Sequence, residues 1–318
     1  MQTTGIGLST IAAFYHVFVK RYIFQFYNEW VFLPRTDEEL RAVINVYSTQ
    51  GLPGCAGSVD CVHLSWGRCQ AGCRFYHVGK EGFPTRSYEV VVDATKRVRA
   101  CTPGFPGANN DKSISRHDFA IHTLRTSLLY TGFIFMLKTG VMTSAACTGL
   151  YFICDGGYHK WRCMQCPFKY ATSVESRLWS KRVESLRKDV ECVFGILKTR
   201  FRCLKVPCMW HDASHVDNQM RFCCILHNQI LHWSGTPARR EAEAAWLADQ
   251  FGRFDEADVG RVRRWGDVNV RCELGYDASD VGTNPRPTHN PPRRLRTRVA
   301  DRAPADLRFH PRINNVAF

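Results

Sequence analysis

Apolar positions along the first 234 residues change their period several times, and each change marks a new element. Residues 5–34 mix aromatic and aliphatic side chains (Leu8, Ile11, Phe14, Val17, Phe18, Tyr22, Phe26) at helical spacing, which predicts a helix burying one face, with Ser9-Thr10 as a start signal. Residues 37–47 predict a second, shorter helix with Thr36 as its N-cap. From Pro53 the texture turns to Gly, Pro and β-branched residues, and residues 58–64, 88–94 and 98–102 read as strands, the second carrying Val90-Val91-Val92. Residues 104–110 are turn material, a helix is expected over 111–121, and an apolar helical stretch then leads to a fully buried strand at 149–155. Residues 174–204 carry the clearest helix: Leu178, Val183, Leu186, Val190, Val193, Phe194, Leu197 and Phe201 make one apolar stripe. Another helical pattern covers 215–233. After Gly235 the chain is Lys-free, Arg-rich and increasingly Pro-rich, the composition of a loose tail.

The 318 residues suffice for one large domain or two ordinary ones, and 45% hydrophobic with 12% aromatic content excludes wholesale disorder despite a formal charge of +14. Most of that charge lies in the patterned part. Residues 1–234 hold 28 Lys and Arg against 17 Asp and Glu, a net of +11, and the remainder holds 15 against 12. A folded basic surface attracts polyanions, nucleic acid before anionic membrane, because neutralising phosphates releases counterions.

Fifteen cysteines would suit a disulfide scaffold, but residues 1–20 lack a charged segment followed by a long apolar one, so a reduced intracellular protein is expected. The longest apolar stretch, residues 128–154, is interrupted by Lys138 and by Gly132, Gly140 and Gly149, too often for a membrane span. Cys163 and Cys166 form a lone CxxC. A structural zinc there would have to recruit distant ligands such as Cys69, Cys73 or His77, and zinc is not the expected metal.

Three acids have settings that suggest other chemistry. Asp60 follows the apolar run Ala56-Gly57-Ser58-Val59, Asp155 ends Leu150-Tyr151-Phe152-Ile153-Cys154, and Glu191 rides on the long helix. Each has an ordinary explanation alone: a buried acid paired with Arg or His, the turn residue of Asp-Gly-Gly, and half of an i,i+4 pair with Arg187. Three strands, a helix, a fourth strand and a long helix, however, is the element order of the ribonuclease H-like fold. There the first and fourth strands lie side by side and acids converge at the sheet's carboxyl end, and two divalent ions gripping a phosphate need little else from a protein. Asp111, in an Asn-Asn-Asp setting that suits an N-cap, is a second-tier candidate ligand, and Asp93 a weaker one. His63, three residues after Asp60 on a strand, falls on the opposite face and reads as a core histidine.

Residues 54–63 (GCAGSVDCVH), 79–82 (GKEG), 106–111 (PGANND), 151–161 (YFICDGGYHKW), 187–201 (RKDVECVFGILKTRF) and 225–228 (ILHN) form an ordered series. Together they resemble the PIF/Harbinger transposases and their domesticated relatives, of the DDE superfamily. The resemblance spans roughly residues 5–233. It implies an α/β fold with a ribonuclease H-like mixed sheet and flanking helices over 51–234, preceded by a short helical segment (1–50) that looks like the remnant of a helix-turn-helix, and followed by the tail 235–318. It also implies a nuclear enzyme cutting double-stranded DNA at transposon ends, with Asp60, Asp155 and Glu191 holding two Mg²⁺ or Mn²⁺ ions. Some bacterial relatives place an Arg four residues before the catalytic Glu and a Lys seven after it. Arg187 and Lys198 match that spacing and are read as DNA-phosphate contacts, Arg187 also as a group orienting Glu191. A Myb-like DNA-binding partner protein and a homo-oligomer are compatible with the resemblance. The competing readings are a domesticated DNA-binding protein without cleavage activity and a cysteine-clustered zinc protein.

Overall fold

In the computed structural model, residues 5–138 and 144–234 are described; the expected tail at 235–318 and Gly140 lie outside them. The described elements are α1 (Leu8–Trp30), α2 (Asp37–Thr49), β1 (Cys55–Ser65), α3 (Arg74–His77, preceded by a 3₁₀ turn at Ala71–Cys73), β2 (Thr85–Val92), β3 (Val98–Cys101) and β4 (Phe105–Pro106). There follow α4 (Asp111–Ser115), α5 (Phe119–Thr126), α6 (Leu128–Thr131), β5 (Ile134–Lys138), β6 (Ser144–Thr148), β7 (Tyr151–Ile153), β8 (Met164–Gln165), α7 (Val174–Arg200), α8 (Arg202–Lys205) and α9 (Ala213–Ser234). Among these, no helix is long and apolar enough to cross a membrane.

The main sheet is mixed. Its strand order is β3-β2-β1-β7-β8, with β4 on β2; β1, β2 and β3 are antiparallel neighbours, while β1 with β7 and β7 with β8 run parallel. β2 lies inside the sheet and is buried along its whole length, which is why it reads as a β-branched run. Its alternate side chains feed different cores. Tyr88, Val90 and Val92 join Val190, Val193 and Leu197 of α7, Met220 to Ile225 of α9 and the flank of α1, whereas Val91 joins Val59, Phe152 and the apolar faces of α2, α5 and α6. Each aliphatic side chain buried in these layers contributes about 1.5–3 kcal/mol.

Several sequence expectations hold in detail. Thr36 Oγ1 accepts from the Glu39 amide as the N-cap of α2, and the stripe on α7 is buried at Val183, Leu186, Val190, Val193 and Leu197. Two fail. The helix expected over 111–121 is two helices, because Asp118 caps a fresh start, its Oδ1 accepting from the amides of Ala120 and Ile121. The apolar helical stretch before β7 is a single turn, α6, closed at Gly132, followed by the hairpin of β5 and β6, paired from Ile134↔Thr148. In that hairpin Ile134 and Met136 are exposed while Phe135 between them packs against the core, the two-residue period of a strand and not of a helix.

Asn228 ties the two ends of the described chain together. Its Oδ1 accepts from the Val98 amide at 2.9 Å, and its Nδ2 donates to the carbonyls of Val98 (2.8 Å) and Trp30 (2.7 Å). Beside it, His227 bonds the Lys96 carbonyl through Nε2 and Arg200 through Nδ1. The sequence ILHN is thus a latch between α9, α1 and β3.

Candidate metal and nucleic-acid site

Parallel pairing of β1 with β7 sets Ser58 opposite Ile153; β7 stops there, short of the strand expected out to 155, so Asp60 lies midway along β1 and Asp155 in the loop just past β7, each two residues beyond that pair. Ser58 Oγ donates to the Arg187 carbonyl at 2.9 Å, fixing the level of α7 against β1. Arg187, 10% exposed at its side chain, donates through Nη1 to Glu191 Oε1 (2.6 Å) and Asp60 Oδ2 (3.4 Å) and through Nη2 to Glu184 Oε1 (2.8 Å). Burial makes this more than a solvated i,i+4 pair: one guanidinium gathers acids from β1 and α7.

Asp111 reaches the same place by another route. Asn110, not Asp111, is the N-cap of α4, its Oδ1 accepting from the Ser113 amide, which frees the Asp111 carboxylate from the helix. Next to Asp155, a side chain at Gly157 would lie 2.9 Å from Asp155 Oδ1 and 3.4 Å from Asp111 Oδ2. The two aspartates therefore face each other across a glycine, whose amide donates to Asp155 Oδ1 at 2.8 Å. Burial pushes the Asp60 carboxyl up to about 6, with Asp155 and Asp111 adding to the rise against the Cys61 amide and Arg187. Asp60 thus feels the Asp155 and Asp111 charges and shares Arg187 with Glu191. Carboxylate oxygens are the donors that magnesium or manganese takes, but among the described residues no three of these acids draw together into a group that could hold one ion.

The short motifs around the acids support their positions. Gly79 and Gly107 lie so close that a side chain at Gly79 would strike the Gly107 backbone, and one at Gly107 would strike Thr85 and the His77 carbonyl; only glycine allows that approach. The Gly107 turn leads directly to Asp111. In YFICDGGYHKW, Tyr158 is buried 3.7 Å from the Cys61 thiol, His159 lies 3.1 Å from both Arg116 Nε and the Lys112 carbonyl, and Trp161 stacks on His159 under the Arg125 guanidinium. These contacts pin the loop carrying Asp155 onto α4 and α5.

Lys198, two turns beyond Glu191, is half-buried with Nζ 3.4 Å from the His63 carbonyl. His63, half-buried, has Nδ1 2.9 Å from Thr85 Oγ1, and burial holds its imidazole below the usual histidine range, with Asp111 and Lys198 among the charges acting on it. Asp93 is held in the β2–β3 turn by Arg99 and by the amides of Thr95 and Arg97, and takes no part in the cluster.

Glu89 and Asp118 escaped notice in the sequence. Glu89 is fully buried, opposite Cys61 in the β1–β2 register, and burial, reinforced by the neighbouring Asp118 carboxyl, pushes it up to about 11. Glu89 Oε1 and Asp118 Oδ2 are both buried without an N–H or hydroxyl donor. One proton, carried by Glu89 and donated to Asp118, satisfies both. An acid inside the run Tyr88-Glu89-Val90-Val91-Val92 is the signal that points to it.

The family model described as plant transposon protein matches residues 31–236, well over half of the chain. The chain belongs to the plant transposon protein family. The matched stretch runs from the end of α1 through α9 and contains Asp60, Asp111, Asp155 and Glu191. Neither the curated proteins nor the solved structures contain a match.

Proposed function

We propose that this plant transposon family protein is a DDE-type transposase or endonuclease of the PIF/Harbinger kind, built on a ribonuclease H-like sheet and cutting DNA phosphodiester bonds in the nucleus. Asp60, Asp155 and Glu191 are the principal carboxylates for two divalent ions, and Asp111 joins them as a fourth donor. The observation that carries the reading is that Asp60 on β1 and Asp155 just past the parallel strand β7 each follow the Ser58–Ile153 pair by two residues, with Glu191 joined to Asp60 through one guanidinium. The sheet order β3-β2-β1-β7-β8 with an antiparallel β2 is the arrangement expected of a ribonuclease H-like core and supports the same conclusion.

When bound, the divalent ions supply the Lewis acidity that polarises the scissile phosphate and activates the attacking water. The protein's own part is positional. β1 carries Asp60, the loop after β7 holds Asp155 through the Gly157 amide, Arg187 restrains Asp60 and Glu191, and the Gly79–Gly107 contact sets the loop that carries Asp111. Lys198, on the same helix as Glu191, is placed to pair with a DNA phosphate, and the basic surface of residues 1–234 provides the remaining attraction.

Nicking of linear DNA carrying candidate terminal repeats, with Mg²⁺ or Mn²⁺ added, tests the reading. Asp60→Asn and Glu191→Ala are expected to abolish nicking and keep DNA binding; nicking unchanged in Glu191→Ala would overturn the assignment. DNA binding without nicking in the wild-type chain would make it a binding protein derived from a transposase.

A further inference from the structure

Residues 66–84 connect β1 to β2. This connection has little core of its own: Trp66, Cys208 and Val216 are its buried apolar residues, with Cys69, Cys73, Trp210 and Ala213 packed partly against them. Its helical path through Ala71–Cys73 and Arg74–His77 places Cys69, Cys73 and His77, spaced four and four, on one face. Their ligand atoms all lie within 4.8 Å of one another, and among the described residues this is the one such group of three. Neither Cys163 nor Cys166 belongs to it.

The geometry suits a metal better than a disulfide. The two sulfurs are 3.9 Å apart, about twice the length of an S–S bond of roughly 2.05 Å, and close to the ~3.8 Å edge of a tetrahedron with Zn–S bonds of about 2.3 Å. His77 supplies the third feature. It is 6% exposed, and its Nδ1 lies 3.0 Å from the Thr85 carbonyl. Donation there fixes the tautomer and leaves the lone pair on Nε2, the arrangement that orients histidine ligands of metals. The Trp66 ring stands edge-on to the imidazole at 4.8 Å between centroids and holds its plane.

We propose that Cys69, Cys73 and His77 bind one Zn²⁺ as a structural centre, with water on the exposed fourth side. Two thiolates and a neutral imidazole make the centre electrically neutral, so it can sit in a half-buried place at little electrostatic cost. The centre fixes α3, whose Tyr76 carbonyl accepts from the Ala108 amide at 3.2 Å, three residues before Asp111. Zinc therefore steadies the loop that delivers Asp111, and the proposal stands whether or not the chain cuts DNA.

The test uses the full chain, purified under reducing conditions without a metal-affinity tag. Elemental analysis is expected to give one zinc per chain, lost in Cys69→Ser/Cys73→Ser and retained in Cys163→Ser/Cys166→Ser. Cobalt replacing zinc should give thiolate-to-metal charge-transfer absorption that His77→Ala weakens. Should the double serine variant fail to fold, alkylation of the wild type decides: Cys69 and Cys73 should become reactive only after chelation. Zinc-free wild-type protein, zinc retained by a folded Cys69→Ser/Cys73→Ser variant, or equal reactivity of the two thiols before and after chelation would each overturn the proposal.

Discussion

Arg187 donates to Glu191 Oε1 at 2.6 Å from a side chain only 10% exposed, whereas Glu191 itself is 45% exposed. The buried partner is the cation. That inverts the usual surface pair and makes Arg187 the group that holds acids together ahead of any metal. Replacing it with Gln leaves Asp60 and Glu191 without their shared donor, so Arg187→Gln should lose about 1–3 kcal/mol of stability in EDTA. Mg²⁺ should restore more of that loss than it adds to the wild type. Paired thermal melts with and without Mg²⁺ check this; equal metal-induced shifts in the two proteins would contradict it.

For Asp60 the sign of the pH effect follows from its raised value. Because it titrates near 6 in the folded chain against 3.8 as a free side chain, ionising it costs the folded state stability. The cost is absent below about pH 4, grows through pH 6 and stays constant above. Asp60→Asn should therefore be inactive yet more stable than the wild type, by on the order of 1–3 kcal/mol near pH 7.5 in EDTA, with the difference closing toward pH 4. Denaturant melts across that range measure the gap.

Gly157 separates Asp155 from Asp111, and a methyl there lies 2.9 Å from Asp155 Oδ1. Gly157→Ala should push the carboxylates apart and weaken Mn²⁺ binding about tenfold or more, with global stability nearly unchanged. Calorimetric titration of Mn²⁺ reads the effect. Unaltered affinity would place the ion away from this pair.

The elements that carry these acids were largely legible in the sequence, and the reason is spacing. Asp60 and Glu191 sit in strand and helix patterns whose periods are unambiguous, and the starts of α2 and α7 fall where expected, although β1 begins three residues before the expected 58 and α7 stops at Arg200, short of 204. What escaped was set by tertiary contact. Asn110 took the cap that the sequence allotted to Asp111, a choice between neighbours that only the path of the Gly107 turn decides. Glu89 was hidden because a carboxyl that keeps its proton behaves as an uncharged residue in a valine-rich strand. The β5–β6 hairpin was misread because both its exposed residues, Ile134 and Met136, and its packed one, Phe135, are apolar, which hides the two-residue alternation of a strand.

Lys198 should act on DNA without acting on the fold. Lys198→Ala removes one cation next to the acids, so DNA affinity should fall roughly equally for all sequences and the slope of log K against log salt should drop by about one. An unchanged slope would mean that Nζ stays on the His63 carbonyl in the complex.

Asn228→Ala removes three buried hydrogen bonds and should cost about 2–4 kcal/mol, leaving nicking per folded molecule unaltered. A melt shifted by less than the equivalent of ~1 kcal/mol would show that water replaces the latch.

That latch also orders events during synthesis. The Trp30 carbonyl and both backbone groups of Val98 wait for an amide that lies 198 and 130 residues further along the chain. Until α9 has left the ribosome, β3 and the end of α1 lack their closing partner, and the core shared by the sheet with α7 and α9 stays open on one side. The four acids all precede α9 in the chain, so a nascent chain holds every carboxylate of the cluster before it holds the helix that seals the core. Seams between such distant residues close late and slowly; newly made protein should acquire metal-binding competence only as this seam shuts.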